Sequence, residues 1–460
     1  MSVETASPAI RKPALSSTNL YEQHVNPEWV RLLNVLQMNV QYAHCAGAEL
    51  RTADGRRILD CLSGYCVHNL GHNHPQVLAA LKEELDRRGP AMVQSCASEL
   101  AGRLAGELCA RSGSALRKAF FCSSGSEGIE AAIKFARAHT RRDALLYVDG
   151  AFHGLTCGAL SLMGDSFWKS GFGQMLPGTE QLPFGNLEVL RARVSSGRYA
   201  ALFLEPIQAE AGVRFFPPEY LAEVQTLCRL HGTLLVADEV QTGLYRTGRF
   251  LASQHLGLDP DMVVLAKALS GGLVPSGAVL LSDEIYQSVY GSLQRSIIHT
   301  STYSENSLAM RAGLATLEVL EAEHLGPRSA RVGALLLERL RESLSGFEMV
   351  RDVRGLGLLC GIEFGAPKHL RLRVPYEAFH RIHPGMFGQI VVMRLFNEMG
   401  VLAQMCGNNF RVLKIAPPLV AGEEQIEEVV SALHDVVEMI HSTTTFWNDA
   451  LSLARRVMNI

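Results

Sequence analysis

Two stretches decide the fold: Leu234-Leu235-Val236-Ala237-Asp238-Glu239-Val240-Gln241-Thr242-Gly243 and Asp261-Met262-Val263-Val264-Leu265-Ala266-Lys267-Ala268-Leu269-Ser270-Gly271-Gly272. Each is a short apolar run that ends in charge and then in small turn-forming residues. A run of that length and make-up reads as a strand buried on both faces. Residues 118–122, 145–148 and 200–204 repeat the pattern, as do 233–237 and 262–265, and helical runs such as 126–139 and 218–231 fall between strands. Strands alternating with helices predict an α/β fold, a mostly parallel sheet flanked by helices, with ligands at the carboxyl ends of the strands.

Further out the chain changes character. After a long helix around 329–344, residues 350–364 and 410–415 read as strands of a smaller α+β unit, with 423–440 as its helix. On the other side, 26–42 looks helical with Trp29, Leu32, Leu33 and Leu36 on one face, and a hairpin follows with Asp54-Gly55 as its turn. The expected division is a mobile Ser/Thr/Pro-rich arm (1–25), an N-terminal part of a small domain (26–75), a large domain (76–344), and a C-terminal part of the small domain with a terminal helix (345–460). In the tail, Trp447, Leu451, Ala454 and Met458 recur at helical spacing beside Arg455-Arg456. This reads as a core or dimer-contact helix, with weak membrane-surface contact as the alternative.

Composition narrows the function classes. The 460 residues are 47% hydrophobic and 19% charged, which suits a chain with a sizeable core. Lys and Arg total 43 against 46 Asp and Glu, and no basic stripe stands out, so no nucleic-acid partner is expected. The mean hydropathy of +0.10 leaves room for an oligomer interface or an apolar substrate. The ten cysteines form no C-x-x-C pair and read as thiols of a reducing compartment. The first residues lack the apolar core of a signal peptide, and the apolar stretch 262–281 is interrupted by Lys267, Gly271-Gly272 and Pro275. The expectation is a cytoplasmic chain. The dispersed histidines, His72 and His74 included, give no metal-ligand spacing, and no metal is expected.

Four segments at strand ends carry chemistry. Phe121-Cys122-Ser123-Ser124-Gly125-Ser126-Glu127 precedes a helix, where small residues let backbone amides approach a phosphate; alone it is equally an ordinary helix cap. In Ala151-Phe152-His153-Gly154, Phe152 could stack on a flat ligand or simply fill core. Asp238 and Glu239 close a buried strand, where an acid needs a partner, a salt bridge or a metal. Lys267 ends another, where an amine is costly unless exposed, paired or chemically used. Their joint occurrence in this order is hard to explain by packing.

At these residues the chain resembles the class III aminotransferases, pyridoxal 5'-phosphate enzymes of fold type I. The resemblance spans about 26–440 and extends to Leu62-Ser63-Gly64-Tyr65, Gly71-His72-Asn73-His74-Pro75, Leu204-Glu205-Pro206-Ile207-Gln208, Arg246-Thr247-Gly248 and Ala416-Pro417-Pro418-Leu419-Val420. It implies that Lys267 holds the cofactor aldehyde as a Schiff base and shuttles the substrate proton. It implies that Asp238 faces the pyridine nitrogen, and that Phe152 and Val240 sandwich the ring. Gly125 and Ser126 would cup the phosphate, Gln241 would lie near the ring hydroxyl, and His153 and Glu205 would join the cofactor shell. Thr302 aligns with a threonine that reaches the neighbouring subunit's phosphate, which implies a homodimer with shared sites.

The implied reaction is a ping-pong transfer of an amino group from an amino-acid donor to a terminal aldehyde or ketone. An aminomutase and a non-catalytic binding protein are the other readings; the presence of both Lys267 and Asp238 disfavours the last. Many glutamate-using relatives carry an arginine two residues before Ala416-Pro417-Pro418. Here that position is Lys414, a point charge with no fork, and Arg411 falls on the opposite strand face. Glu210 matches the acid that pairs with that arginine in ornithine-type relatives, so a Glu210–Lys414 pair that opens for a carboxylate is expected. Tyr65 matches a pocket tyrosine of ornithine aminotransferases. Residues 183–186 and 299–302 resemble putrescine aminotransferases, and 371–404 resembles enzymes assigned to terminal amination of hopanoid lipids. Ser304-Glu305 replaces a usual Gly-Gly pair and is expected to bulk the pocket mouth.

Overall fold

The computed structural model describes residues 17–92, 95–113, 115–442 and 447. Its centre is a seven-stranded sheet in the order Lys118–Cys122, Gly277–Leu281, Met262–Leu265, Leu234–Asp238, Tyr199–Leu204, Ala144–Val148, Thr179–Leu182. The strands are parallel except Gly277–Leu281, which is antiparallel to both its neighbours. Two of the seven escape the sequence reading. Gly277–Leu281 merges with the preceding strand into one apolar stretch, and Thr179–Leu182 is a polar edge strand with no apolar run to betray it.

Helices cover both faces. Gly125–Thr140 lays Ile129, Ala132, Ile133, Phe135 and Ala136 on the sheet. Its start is reciprocally capped: Ser124 Oγ accepts the Glu127 amide at 3.2 Å, and Glu127 Oε2 accepts the Ser123 amide at 2.6 Å. Pro218–His231 opens on a proline and closes on Gly232 in the left-handed conformation, φ +62°.

The N-terminal strands Tyr42–Ala46, Glu49–Thr52 and Arg57–Asp60 form a meander with a turn at residues 53–56. Asp60 closes that meander beside Val401–Leu402, which pairs with it in parallel. A second four-stranded sheet orders Val350–Leu356, Leu359–Phe364, Asn409–Ile415 and Gln404–Cys406. Helices Leu325–Leu344 and Glu423–Ser442 pack together beside it. Residues 371–404 supply two helices, Leu370–Ile382 and Met386–Asn397; the latter is buried along most of its length, and Trp447 stacks on Phe379 at 5.8 Å.

One expectation is corrected. The helix Pro27–Val35 is shorter than the pattern suggested, and Trp29 and Leu32 are exposed, 44% and 45%. The helix packs against Ser17–His24 at the chain's edge; of its apolar stripe only Leu36 is buried and Leu33 half-buried, while the Trp29 and Leu32 end faces outward. Residues 1–16 of the N-terminal arm, and Leu451, Ala454, Arg455-Arg456 and Met458 of the tail, lie outside the described residues. Among the described residues no helix is long and apolar enough to cross a membrane, and no group of three His, Cys, Asp or Glu could hold a metal ion.

Candidate active site

The carboxyl ends of the parallel strands open on one cavity of about 580 Å³, whose wall includes Gly125, Phe152, Glu205, Asp238, Val240 and Lys267. Lys267 begins a 3-10 turn, Lys267–Ser270, directly after its strand, with φ +48°. Among the described residues its ammonium has no hydrogen bond or ion pair. Burial pushes that ammonium down; Cys66, Glu210 and Asp238 oppose the shift and Lys414 reinforces it. An amine drawn toward neutrality is a nucleophile and a proton acceptor.

Asp238 and Glu239, adjacent in sequence, separate in role. Asp238 lines the cavity; Oδ2 takes a hydrogen bond from His153 Nδ1 at 2.8 Å and Oδ1 accepts the Val240 amide at 3.0 Å. That fixes the His153 proton on Nδ1 and leaves its Nε2 buried without a partner. Glu239 points into a loop and is fully satisfied by the Ala252 and Ser253 amides and the Ser253 and Thr242 hydroxyls. Glu205 accepts the amides of Phe152 at 2.9 Å and Ala209 at 3.3 Å. Burial raises its carboxyl to about 7, with Asp238 adding to the rise and His153 opposing it.

The amides of Gly125 and Ser126 open the helix with no acceptor among the described residues, the usual state of a helix N-terminus and one that suits an anion. Space here is tight. A Cβ on Gly125 would come within 2.8 Å of Val240 Cγ2, and one on Gly154, φ +118°, within 2.5 Å of Ser126 Oγ. Phe152 lines the same cavity as Val240, and its outer edge meets Trp168 at 5.3 Å, edge to face.

Glu210 and Lys414 lie outside the cavity wall and reach it through Gln241, and Tyr65 lies against Lys414. The Lys414 ammonium donates to Glu210 Oε1 and, at 3.3 Å, to Gln241 Oε1; Gln241 Nε2 donates to Glu210 Oε1 at 3.0 Å. Burial alone would raise the Glu210 carboxyl, but Lys414 outweighs it and holds it at about 2. Burial alone would likewise lower the Lys414 ammonium, and Glu210 reverses that. Lys414 Nζ sits 5.5 Å over the Tyr65 ring. The turn that presents Tyr65 is left-handed throughout: φ is +51° at Ser63, +58° at Gly64, +62° at Tyr65 and +68° at Cys66. For a residue with a Cβ such backbone costs about 1–2 kcal/mol.

Thr302 is not in the cavity. It lies in a separate surface pocket with Met92, Cys96 and Ser98. Ser304 and Glu305 line that second pocket too and are not on the wall of this chain's main cavity. His72 and His74 bind carboxylates: His72 Nε2 meets Asp60 Oδ2 at 2.7 Å and His74 Nε2 meets Glu323 at 3.0 Å.

The sequence reading missed Val67 and the loop Leu273-Val274-Pro275-Ser276, all on the cavity wall; for the loop, the Gly-Gly and Pro interruptions that broke the apolar stretch 262–281 were the available signal. It also gave no role to Arg246. That side chain is fully buried and donates to the carbonyls of Leu358 (2.9 Å) and Pro417 (2.5 Å) and to Asn69 Oδ1 (2.6 Å), tying three distant segments together.

Residues 33–437 match the family described as "Aminotransferase class-III". The chain belongs to the class III aminotransferases. This aminotransferase is 33% identical over 458 residues to the aminotransferase PigE of Serratia sp. (strain ATCC 39006), which covers 93% of the chain and 54% of that protein; the chain spans about half the length of this curated relative. Among solved structures, the ornithine aminotransferase of Toxoplasma gondii ME49 superposes with a TM-score of 0.78 at 28% identity, covering 87% of this chain and 91% of that one. An (S)-enantioselective omega-transaminase from Thermomicrobium roseum gives 0.77 at 28% identity, covering 87% and 93%. The fold is thus that of the fold type I transaminases. Its cofactor is pyridoxal phosphate, and the Toxoplasma enzyme has been crystallised with partial occupancy of PLP at its active site.

The cavity fits that group on its own evidence. Among the described residues it offers helix-start amides without an acceptor for a phosphate, a carboxylate held by two partners, the side chains of Phe152 and Val240 on its lining, and an amine without a hydrogen bond.

Proposed function

We propose that this aminotransferase moves an amino group from an amino-acid donor, glutamate, ornithine or similar, to a terminal aldehyde or ketone in a ping-pong cycle. One observation carries the reading: among the described residues Lys267 enters the cavity with no hydrogen bond or ion pair, while Asp238 and Glu205 there are hydrogen-bonded. Bound pyridoxal phosphate supplies an aldehyde that takes up the amino group and a cationic ring that draws electrons from the neighbouring carbon. Lys267 Nζ moves the proton on and off the substrate carbon that bears the amine. Asp238, oriented by His153, holds a proton at the ring nitrogen. The Gly125 and Ser126 amides would hold the phosphate, Phe152 and Val240 would flank the ring, and Gln241 would serve the ring hydroxyl. Glu205 orients the Phe152 backbone.

At the far end, the Glu210–Lys414 pair opens for a substrate carboxylate and stays closed for an uncharged end. Trp168 against Phe152, with Phe167 and Phe172 exposed close by in sequence, offers an apolar lip suited to an acceptor with a hydrocarbon body, a hopanoid-type lipid aldehyde among them. The working unit is a homodimer in which Thr302 completes the neighbour's phosphate site. The exposed Ile297, Ile298 and Tyr303 around it are consistent with a covering partner.

Borohydride reduction of the loaded protein followed by peptide mapping tests the reading; an adduct at Lys267 is expected, and an adduct elsewhere overturns it. A donor screen with 2-oxoglutarate and pyruvate, then acceptor aldehydes from diamine-derived to lipid-derived, assigns the substrate. Turnover without any 2-oxoacid would make the enzyme an aminomutase instead.

A further inference from the structure

The turn Ser63–Cys66 asks for an explanation that its sequence does not provide. Four successive residues are left-handed and only Gly64 adopts that backbone at no steric cost. A conformation of this kind persists only where its surroundings over-determine it. The restraints converge on Asp60, at the end of strand Arg57–Asp60. One carboxylate oxygen, Oδ1, accepts the amide of Leu62 at 2.9 Å and that of Ser63 at 2.8 Å. The other, Oδ2, is held by His72 Nε2 at 2.7 Å, and His68 packs on His72 with ring centroids 3.9 Å apart. Ser63 Oγ then donates to the carbonyl of Ala416 at 2.6 Å, two residues beyond Lys414.

Asp60 is almost wholly buried and is not part of the cavity wall. What it fixes is. The turn packs on Lys267–Ser270, its Val67 end lines the cavity, and Tyr65 lies against Lys414.

We propose that Asp60 is a positioning residue for the substrate end of this site, clamping a left-handed turn so that Tyr65 stays against Lys414 and Cys66 stays sealed behind Lys267. The proposal rests on the transaminase reading for its kinetic consequence and on the geometry alone for its structural one. His72 orients the clamp from behind.

The test uses Asp60→Ala, Asp60→Asn and His72→Ala, each checked for folding by its melting curve. Asparagine keeps an oxygen for the two amides, so it is the conservative rescue. In protein freed of cofactor, iodoacetamide labelling with peptide mapping reads the turn directly, with the exposed Cys157 as the reference in the same digest. Cys66 is protected in the wild type and in Asp60→Asn; in Asp60→Ala it labels at least ~10-fold faster, as expected when a locally strained segment opens. In the loaded enzyme, Asp60→Ala raises KM for glutamate ~10-fold with kcat changed less than ~3-fold, the pattern of lost ground-state binding.

Cys66 remaining protected in Asp60→Ala, or kcat falling while KM holds, overturns the clamp. If Asp60→Ala does not fold, His72→Ala decides: it leaves both amide bonds in place but unhinges the carboxylate, so faster Cys66 labelling supports the clamp and unchanged labelling overturns it. A wild type that turns over no amino donor refutes the transaminase reading, and the labelling result still stands for or against the clamp.

Discussion

Lys414 and Glu210 meet in a buried ion pair, and Gln241 closes the figure by accepting from Lys414 with its amide oxygen, at 3.3 Å, and donating to Glu210 with its amide nitrogen, at 3.0 Å. Glu210 Oε1 takes both bonds from the trio, and Oε2 accepts the Gly407 amide at 2.9 Å. Under the proposed function, a substrate carboxylate displaces Glu210 from Lys414, and a neutral chain end leaves the trio closed.

Removing one partner should be costly. Lys414→Met leaves the Glu210 charge buried without compensation, and an unfolding loss of about 3–5 kcal/mol is expected. Urea denaturation of Lys414→Met against the double variant Glu210→Gln/Lys414→Met checks it, because the double variant should regain most of the loss. Since Lys414 holds Glu210 below its ordinary value of 4.5, at about 2, the pair's contribution is complete above pH 4.5 and disappears as pH falls toward 2. Lys414→Ala should also weaken glutamate binding; an unchanged affinity removes the role proposed for the pair.

Glu205 carries the opposite sign. Its folded-state carboxyl is raised from 4.5 to about 7, so the folded protein binds more protons than the unfolded chain between those values. Stability is therefore lost as pH rises from 4.5 through 7, by up to about 3 kcal/mol at 1.36 kcal/mol per unit. Glu205→Gln removes the charge and keeps an oxygen for the Phe152 amide, at the cost of the longer bond that the other carboxylate oxygen accepts from Ala209. Its stability measured from pH 5 to 8 should stay flat where the wild type declines; parallel curves would refute the assignment.

Lys267→Ala should fold as well as the wild type, because the ammonium it removes makes no hydrogen bond or ion pair among the described residues. Turnover should fall by roughly 10³-fold or more, since nucleophile and proton carrier go together. Absorbance of the loaded protein titrated with an amine, beside a melting curve, separates this from misfolding. A colour change that survives the substitution would place the chemistry elsewhere.

Gly154→Ala should spoil the phosphate cup. The added methyl lands 2.5 Å from Ser126 Oγ on backbone at φ +118°. The expected cost is about 1–3 kcal/mol of stability, with cofactor Kd raised ~10-fold, corresponding to 1.4 kcal/mol. Fluorescence titration of cofactor-free protein measures it, and a Kd equal to wild type would show that the loop relaxes freely.

The strand-end residues were legible because a buried strand that finishes on Asp238 or Lys267 contradicts its own apolar pattern. The helices were legible where caps and stripe agree, as in Pro218–His231. Other features leave no local trace. The antiparallel strand Gly277–Leu281 has the same composition as its parallel neighbour. The stripe of Trp29 and Leu32 has helical spacing but faces away from this chain's core. The left-handed turn at Ser63–Cys66 is imposed by Asp60 and Ala416 rather than by its own residues, three of which disfavour it. Thr302 and Glu305 share a pocket that no local pattern distinguishes from the cavity.

The reversed strand Gly277–Leu281 also orders events in time. Lys118–Cys122, whose end carries the Ser124–Ser126 cup, joins the sheet only through Gly277–Leu281, with Cys122 opposite Gly277. The start of helix Gly125–Thr140 is therefore registered in the sheet by residues far along the chain, and pairing between segments so distant in sequence is slow to form.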